Sequence, residues 1–223
     1  MSDFKSLQVP FGIFLTFEGG EGTGKSTQIR KVSEWLRAQS IPVVITREPG
    51  GTPGAEEIRN LLVQGNPERW DAMTEALLLF AARRDHVEFF IKPHLKEGTW
   101  VLCDRFTDSS WVYQGFGSGL GPEKIEDLAK TVLNTFEPKV TIILDLPPEI
   151  GLARAHARAT KENRFEKKGL VFHKRLQEGY HLLAQKNPGR CFLVSGLGSE
   201  EEVFERLLDL LKDVFPSLKQ DHS

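Results

Sequence analysis

Eight consecutive residues near the N-terminus have the types and spacing of a phosphate-binding loop. Residues 19–26, Gly-Gly-Glu-Gly-Thr-Gly-Lys-Ser, fit the pattern G-x-x-x-x-G-K-S/T. Glycines let backbone N–H groups approach phosphate oxygens, and the positive end of a following helix attracts the same anion. Lys25 can reach the β and γ phosphates of a nucleoside triphosphate, and the Ser26 hydroxyl can ligate Mg²⁺. The alternative is a glycine-rich turn that binds nothing. The flanking strand and helix pattern favours binding of ATP with Mg²⁺. The predicted binding residues are Gly19, Gly20, Glu21, Gly22, Thr23, Gly24, Lys25, Ser26 and Thr27.

Carboxylates follow two further apolar runs of the sequence. Asp104 ends the run 100–103, where it can hold a Mg²⁺-bound water across from Ser26. A carboxylate that only caps a strand is the alternative for Asp104. Glu48 can add a second carboxylate near the same ion or orient the acceptor, although a lone loop glutamate is more often solvated.

Four arginines are candidates for binding an acceptor phosphate, because a guanidinium offers a planar fork that matches phosphate oxygens. Arg47 and Arg105 each directly follow a predicted strand, which makes them the stronger candidates. Arg59 depends on its short helix facing inward, and Arg83 lies in a longer helix. Each one alone is more often a surface arginine.

These residues require a sheet that brings strand ends together. Short apolar runs alternate with helical periodicity, which predicts an α/β fold with three α/β/α layers and a five-stranded parallel sheet. Strands are predicted at 11–18, 43–46, 100–104, 140–145 and 191–195, and helices at 25–39, 56–64, 74–96, 122–135, from 148 onward, 170–186 and 200–214. We predict a single P-loop domain over 1–223, with a short mobile lid at about 154–168. A solvated loop is the alternative for the lid.

Composition limits the partners and the location of the chain. The 223 residues carry a formal charge of -2, so no global basic field predicts nucleic-acid binding. The N-terminus lacks the pattern of a signal peptide, and no apolar run reaches the roughly 18 residues of a membrane span, so we expect a cytoplasmic protein. The two cysteines, Cys103 and Cys191, lie in apolar runs and are expected to be reduced and buried.

Several segments together resemble the thymidylate kinase family, in particular its bacterial members. The phosphate loop is generic, but Arg-Glu-Pro-Gly-Gly-Thr and the Asp-Arg segment that leads to Tyr-Gln-Gly are far more restrictive. The matching segments are residues 17–27, 46–52, 77–83, 103–106 with Ser109, Ser110, Tyr113, Gln114 and Gly115, and 144–149. The resemblance implies transfer of the γ-phosphoryl group of ATP to dTMP, giving dTDP, by an enzyme that is a homodimer.

The resemblance also implies roles around the thymine base. Phe80 would lie against the ring, with ordinary core packing as the alternative, and Arg83 or its neighbour Arg84 would donate to a thymine carbonyl. Ser110 and Gln114, with Ser109 beside them, resemble the polar contacts to the base region. Tyr113 resembles the ring that crowds the position of a 2'-hydroxyl, which would favour deoxyribose.

Around the phosphates, the resemblance implies that Arg105 and Arg47 clamp the acceptor and that Glu21 is the acidic residue of the loop. Family members that place arginine after this acidic residue supply a transition-state cation from the loop, but this chain has Gly22 there. The lid offers Arg154, Arg158 and Arg164, and we predict that Arg158 or Arg164 closes over the phosphates. The predicted catalytic residues are Lys25, Arg105, Arg158, Arg164 and Glu21.

Two positions depart from the family pattern, and two other functions remain open. Phe106 replaces the common tyrosine or histidine after Asp-Arg, and Asn163 stands where several relatives carry aspartate. One rival function is a P-loop kinase of another nucleotide or of a deoxynucleoside. The other is a nucleotide-dependent switch protein, against which the sequence has no Asn-Lys-x-Asp guanine motif.

Overall fold

The structure, a computed structural model, describes residues 11–66, 68–157 and 164–219. Its centre is a five-stranded parallel sheet in the order β2-β3-β1-β4-β5, which confirms the predicted fold class. The strands are β1 Phe14–Glu18, β2 Val43–Arg47, β3 Trp100–Asp104, β4 Val140–Asp145 and β5 Cys191–Ser195. Both faces of a parallel sheet must be covered, and helices cover them here.

The helices follow the predicted order, with boundaries that differ by a few residues. They are α1 Lys25–Ala38, α2 Pro53–Val63, α3 Ala72–His86, α4 Lys92–Lys96, α5 Thr107–Ser110, α6 Pro122–Leu133, α7 Pro148–Ala157, α8 Gly169–Lys186 and α9 Glu200–Val214. Short 3₁₀ turns cover Glu166–Lys168 and Pro216–Lys219. Side chains cap several helix starts: Thr52 accepts from Ala55 at α2, and Ser199 and Glu202 form a capping box at α9.

Two π-helical segments were not predicted. Val87–Ile91 joins α3 to α4, so the long helix predicted at 74–96 is a continuous run of helical backbone with a change of pitch. Trp111–Gly117 directly follows α5, in a stretch for which no helix was predicted. A π-turn changes the direction of the side chains that follow it, and such turns are frequent at functional sites.

Two buried clusters lie on opposite sides of the sheet. One packs α1 and α9 against the strands through Ile29, Leu36, Leu207 and other apolar side chains. The other packs α3 and α6 through Phe80, Ile125 and their neighbours. Cys103 and Cys191 are buried and form no disulfide, as expected. Within 11–66, 68–157 and 164–219, no helix is both long enough and apolar enough to cross a bilayer.

The carboxyl ends of β1, β2 and β3 meet at one edge of the sheet. Asp104 is in register with Phe17 of β1 and with Arg47 of β2. In sheets of this kind, ligands bind beyond the carboxyl ends of the strands. The phosphate loop and the other candidate residues therefore follow strands that end side by side.

Candidate active site

The phosphate loop connects β1 to α1, as the sequence predicts. Helix α1 begins after Gly24, and no side chain among the described residues caps its first N–H groups. Those donors are available to an anion. The Lys25 ammonium folds back over the loop and donates to the carbonyls of Gly20 at 2.9 Å and Gly19 at 3.2 Å. The Thr23 hydroxyl donates to the Gly20 carbonyl at 3.1 Å, which tightens the loop.

Two glycines of the loop are required by close packing. Gly22 has φ of +68°, and a Cβ there would lie 1.9 Å from the carbonyl oxygen of Gly151 in α7. Gly19 has φ of +128°, and a Cβ there would lie 2.4 Å from the Leu144 carbonyl oxygen. The left-handed backbone and the lack of space both exclude larger residues.

Burial and charge set the protonation of the loop residues. Burial and the nearby Arg105 guanidinium lower the pKa of Lys25 to about 8, although Asp104 and Glu21 act against this shift. Burial alone would raise the pKa of Glu21, but the charges of Arg105 and Lys25 and a hydrogen bond from Tyr113 bring it to about 2. The site therefore holds an ionised Glu21 between two cations at neutral pH.

Ser26 and Asp104 form the expected pair for a magnesium ion. The Ser26 hydroxyl donates to Asp104 Oδ2 at 3.1 Å. The other oxygen, Oδ1, is buried and has no hydrogen-bond partner among the described residues. A hydroxyl and a carboxylate beside a phosphate loop are oxygen ligands of the kind that Mg²⁺ prefers, so these residues fit the ion.

A cavity of about 140 Å³ opens beside the loop. It contains most of the predicted substrate residues, and its lining runs from Glu21 of the loop to Leu79 and Arg83 of α3. Its lining residues are Glu21, Glu48, Pro49, Arg59, Val63, Leu79, Arg83, Arg105, Ser109, Ser110, Tyr113, Gln114, Phe165 and Glu166. Residues from distant parts of the sequence thus line a single cavity.

Arg105 joins the phosphate loop to this cavity. It follows β3 with φ of +71°, and this backbone conformation turns its side chain toward β1. Its guanidinium donates to the Gly19 carbonyl at 3.0 Å, to Ser109 Oγ at 3.1 Å and to Glu21 Oε1 at 3.0 Å. Tyr113 donates its hydroxyl to the same Glu21 oxygen at 2.9 Å and lies under the Arg105 guanidinium.

Arg83 is held at the opposite wall by a buried ion pair. Its Nε donates to Glu48 Oε2 at 2.6 Å, and its Nη2 donates to the Phe106 carbonyl at 3.0 Å. The second Glu48 oxygen lies 3.1 Å from Nδ1 of His86, and Thr46 Oγ1 lies 2.7 Å from Nε2 of the same ring. Buried charges need such complete pairing, so Glu48 fixes the position of Arg83.

Three residues of the cavity carry buried polar atoms that have no partner within the described part of the chain. They are Arg83 Nη1, Ser110 Oγ and Gln114 Oε1. Buried polar atoms in proteins are almost always hydrogen-bonded, so three orphans in one cavity indicate groups that bind a ligand. One guanidinium donor, one hydroxyl and one amide acceptor match a ring that carries both carbonyls and an N–H.

The structure places two predicted substrate residues outside this cavity. Arg47 is half exposed and pairs with Glu56 at 3.0 Å, because alternation along β2 turns its side chain away from the loop. Phe80 is buried in the core, with its ring 4.7 Å from the Arg83 guanidinium carbon. This position corresponds to the core-packing alternative, in which Phe80 supports Arg83 from below. Aromatic side chains that do line the cavity are Tyr113 and Phe165.

The predicted lid arginines have different surroundings. Arg164 is fully buried, and its guanidinium pairs with Glu75 and donates to the carbonyls of Asn66 and Leu62. Its position here is therefore beside α2 and α3 rather than over the phosphate loop. Arg154 is exposed in α7. Arg158 lies outside the described residues, as does Asn163.

Arg83 and Arg84, the two candidates for contact with the base, have different surroundings. Arg84 is half exposed, pairs with Glu88 and donates to the Val132 carbonyl. Arg83 lines the cavity. Of the two, Arg83 has the position to contact a bound base.

Sequence reasoning missed several residues that support the site. Glu18, at the end of β1, accepts from the backbone N–H groups of Phe106 and Ser109 and from the hydroxyls of Ser109 and Tyr180. Burial and the charge of Asp108 raise the pKa of Glu18 to about 7. A carboxylate at the end of an apolar strand was the available signal, and it was used for Asp104 but not for Glu18.

Comparisons with known proteins show the family to which the chain is similar. The family model described as thymidylate kinase matches residues 17–207. The thymidylate kinase of Caulobacter vibrioides is 50% identical over 200 residues, which cover 90% of this chain and 96% of that one. That of Bradyrhizobium diazoefficiens is 46% identical over 204 residues, covering 91% and 90% of the two chains.

A solved structure extends the likeness to the fold. The crystal structure of thymidylate kinase from Ehrlichia chaffeensis matches with a TM-score of 0.73 and 33% identity, covering 91% of this chain and 99% of that one. Both the sequence and the architecture thus match over nearly the whole length. This chain belongs to the thymidylate kinase family.

Proposed function

We propose that the phosphate loop binds ATP, that the adjoining cavity binds dTMP, and that the chain uses the two in the reaction of its family. That reaction is ATP-dependent phosphorylation of dTMP to dTDP. The oxygen of the dTMP phosphate attacks the γ-phosphorus, and the bond from that phosphorus to the β–γ bridging oxygen breaks. ADP leaves with the electron pair of that bond.

The observation that carries this proposal is the set of orphaned atoms in the cavity. A thymine ring presents two carbonyls and one N–H along one edge. Arg83 Nη1 and Ser110 Oγ can donate to carbonyls, and Gln114 Oε1 can accept from the N–H. The other wall of the cavity is Arg105, which touches the phosphate loop. The base and the acceptor phosphate are therefore expected at opposite ends of the cavity.

The protein's part in the transfer is alignment and charge. An acceptor phosphate is already anionic, so no general base is required. Arg105 and Arg59 face the cavity as donors for this phosphate, while Lys25 and the loop N–H groups hold the donor phosphates. Ser26 and Asp104 would hold Mg²⁺, which supplies positive charge at the transferring phosphates.

Glu21 is proposed to orient the acceptor side of the site. Its carboxylate accepts from both Arg105 and Tyr113, which fixes their side chains beside the loop. Tyr113 then limits the space next to the sugar, as deoxyribose selectivity would require. Lid closure by residues of about 154–168, with Arg158 reaching the phosphates, is our proposal for excluding water, because Arg164 is held beside α2 and α3.

The test is a coupled assay of ADP formation with a panel of acceptors. We expect ADP to form with dTMP at a far higher kcat/KM than with dCMP, dGMP or thymidine, and we expect dUMP to be the nearest competitor. ADP formation that does not depend on an added monophosphate would favour the switch protein instead. A preference for another acceptor would favour the rival kinase.

A homodimer in the cytoplasm completes the proposal. On the described surface, Leu77 of α3 is 51% exposed and Phe89 of the following π-helical segment is 75% exposed. A second copy that covers these apolar side chains would remove them from water. Sedimentation velocity distinguishes the dimer from a monomer, and a monomer at micromolar concentration would contradict this part.

A further inference from the structure

Glu75 of α3 lies between Gln114, which lines the cavity, and Arg164. Its carboxylate is almost fully buried and does not line the cavity. We infer that Glu75 is a positioning residue that fixes the amide orientation of Gln114, and that it thereby selects pyrimidines with an N–H at ring position 3. This inference rests on the proposed function, because it concerns the base of the same nucleotide.

The contacts of Glu75 leave little freedom to the groups around it. Gln114 Nε2 lies 2.8 Å from Glu75 Oε1, and Arg164 Nη1 pairs with Glu75 Oε2. Arg164 is itself fixed by donating to two carbonyls, those of Asn66 at 3.1 Å and Leu62 at 3.2 Å. The side chains of Glu75, Gln114 and Arg164 are all about 1% exposed, so water does not compete for these bonds.

A carboxylate can only accept hydrogen bonds, which decides how the amide of Gln114 is turned. The two ends of an amide look alike in shape, and their assignment follows from the partners. Facing a carboxylate, Gln114 must present its NH₂ group, so its oxygen is the atom left for a ligand. That oxygen is the buried Oε1 without a partner among the described residues.

The orientation of this amide discriminates between pyrimidines. Thymine and uracil carry an N–H at ring position 3 that can donate to Gln114 Oε1. Cytosine carries a bare nitrogen there, so two acceptors would face each other in a buried place. Leaving such groups unpaired weakens binding by roughly 10- to 100-fold. Glu75 therefore contributes to base selectivity without touching the substrate.

The variant Glu75→Gln tests this role because it keeps the shape of the side chain. Its amide has one oxygen and one NH₂ group, and the Arg164 donors require the oxygen. The new NH₂ group then faces Gln114, which must turn its own oxygen toward residue 75. The NH₂ group of Gln114 is left facing the substrate, where it repels the N–H of thymine and can donate to the bare nitrogen of cytosine.

We expect kcat/KM for dTMP to fall roughly 10- to 100-fold in this variant, mainly through KM, while kcat/KM for dCMP is unchanged or higher. The ratio of dTMP to dUMP should stay as in wild type, because both bases present the same edge. A general structural defect would instead lower kcat/KM for dTMP, dUMP and dCMP by similar factors. Glu88→Gln, which changes a partly buried carboxylate that pairs with Lys92 outside the cavity, is the matched control and should keep wild-type ratios.

A second pair of variants keeps the test decisive if Glu75→Gln does not fold. Glu75→Asp retains an acceptor-only group, so it should keep the dTMP to dCMP ratio even if its kcat/KM falls. In a Gln114→Ala background, Glu75→Gln should cause no further change in that ratio. The inference is overturned if folded Glu75→Gln keeps the wild-type ratio, if Glu75→Asp loses it, or if the effect persists without Gln114. Wild-type protein that ignores dTMP would instead refute the proposed function.

Discussion

At the scale of single residues, the site is a balance of charges arranged before any ligand arrives. Glu21 is ionised and shared between Arg105 and Tyr113, and Lys25 rests on loop carbonyls. We expect an incoming polyphosphate to replace those carbonyls as the partner of Lys25. The positive groups are thus already in place, which is the arrangement that stabilises developing charge at little cost of reorganisation.

The shifted pKa of Lys25 gives a prediction at this scale. Burial and Arg105 lower this pKa to about 8, so the charged fraction of Lys25 falls as pH rises through that value. We expect kcat/KM for ATP to decline above about pH 8, and kcat at saturating ATP to decline less, since bound phosphates favour the charged form. Lys25→Arg should lose the decline because arginine stays charged, and Lys25→Ala should lose about 10²- to 10³-fold in kcat. An unchanged alkaline decline in Lys25→Arg would assign it to another group.

Residue types at the site were more predictable than their directions. The loop motif was recognised from its spacing, and Asp104 was proposed from its place at the end of an apolar run once the loop was recognised. Arg47 was a stronger candidate than Arg83 because it directly follows a strand, yet Arg47 pairs with Glu56 at the surface and Arg83 pairs with buried Glu48. Which arginine turns inward depends on packing between β2, α2 and α3, and no local pattern encodes it.

At the scale of elements, the carboxylate at the end of β1 organises the start of α5. Glu18 accepts the N–H groups of Phe106 and Ser109, so strand β1 holds the segment that carries Arg105. Tyr180 brings α8 into the same group of hydrogen bonds. The part of the cavity that carries Arg105 thus depends on Glu18, which ends strand β1 and does not itself line the cavity.

Removing the Glu18 carboxylate should disturb the proposed dTMP site around Arg105 more than the phosphate loop. We expect Glu18→Ala to lower the free energy of unfolding by roughly 2–4 kcal/mol, because two buried N–H groups lose their acceptor. KM for dTMP should rise more than KM for ATP. Urea unfolding and steady-state kinetics measure the two effects, and equal changes in both KM values would contradict the anchoring role.

Glu18→Gln provides the matched control, since it keeps an acceptor oxygen and the volume. Burial raises the pKa of Glu18 from 4.5 to about 7, so the folded protein holds a proton that the unfolded chain releases between these values. Wild-type stability relative to Glu18→Gln is then full below about pH 4.5 and is lost as pH rises through about 7. A constant difference across this range would show that Glu18 titrates normally.

Element types were predictable from periodicity, and the two π-helical segments were not. A run of apolar residues at helical spacing predicts a helix, but it does not distinguish an α-helical turn from a π-helical one. Trp111–Gly117 supplies Tyr113 and Gln114 to the cavity, so a feature invisible to periodicity decides how they face it. The sequence therefore named Tyr113 and Gln114 as candidates but did not predict how their side chains face the cavity.

At the scale of the whole molecule, the site joins parts of the chain that are far apart in sequence. Lining residues come from the loop after β1, the segments after β2 and β3, α2, α3 and the region after 163. Ligands that bridge these parts bind the folded state alone. They should therefore stabilise the entire fold by mass action.

Thermal unfolding with ligands tests this coupling. At a concentration of 100 Kd, a ligand adds about 2.7 kcal/mol, which corresponds to a rise in Tm of roughly 5–10 °C for a chain of this size. We expect such a rise with dTMP alone and a further rise with Mg²⁺ and a non-hydrolysable ATP analogue. Asp104→Asn should keep the dTMP shift and lose the part that Mg²⁺ adds. A Mg²⁺ increment of the same size in Asp104→Asn would remove Asp104 from the metal site.

The close contact between Gly22 and Gly151 has one more consequence. A Cβ at Gly22 would lie 1.9 Å from the carbonyl oxygen of Gly151, and a Cβ at Gly151 would lie 2.3 Å from the carbonyl oxygen of Glu21. The backbone of the loop and the backbone of the first turn of α7 thus pack in direct contact, with no side chain between them at these two positions. Rebuilding position 22 with an arginine would force α7 outward, so a cation cannot be introduced there without also redesigning that helix.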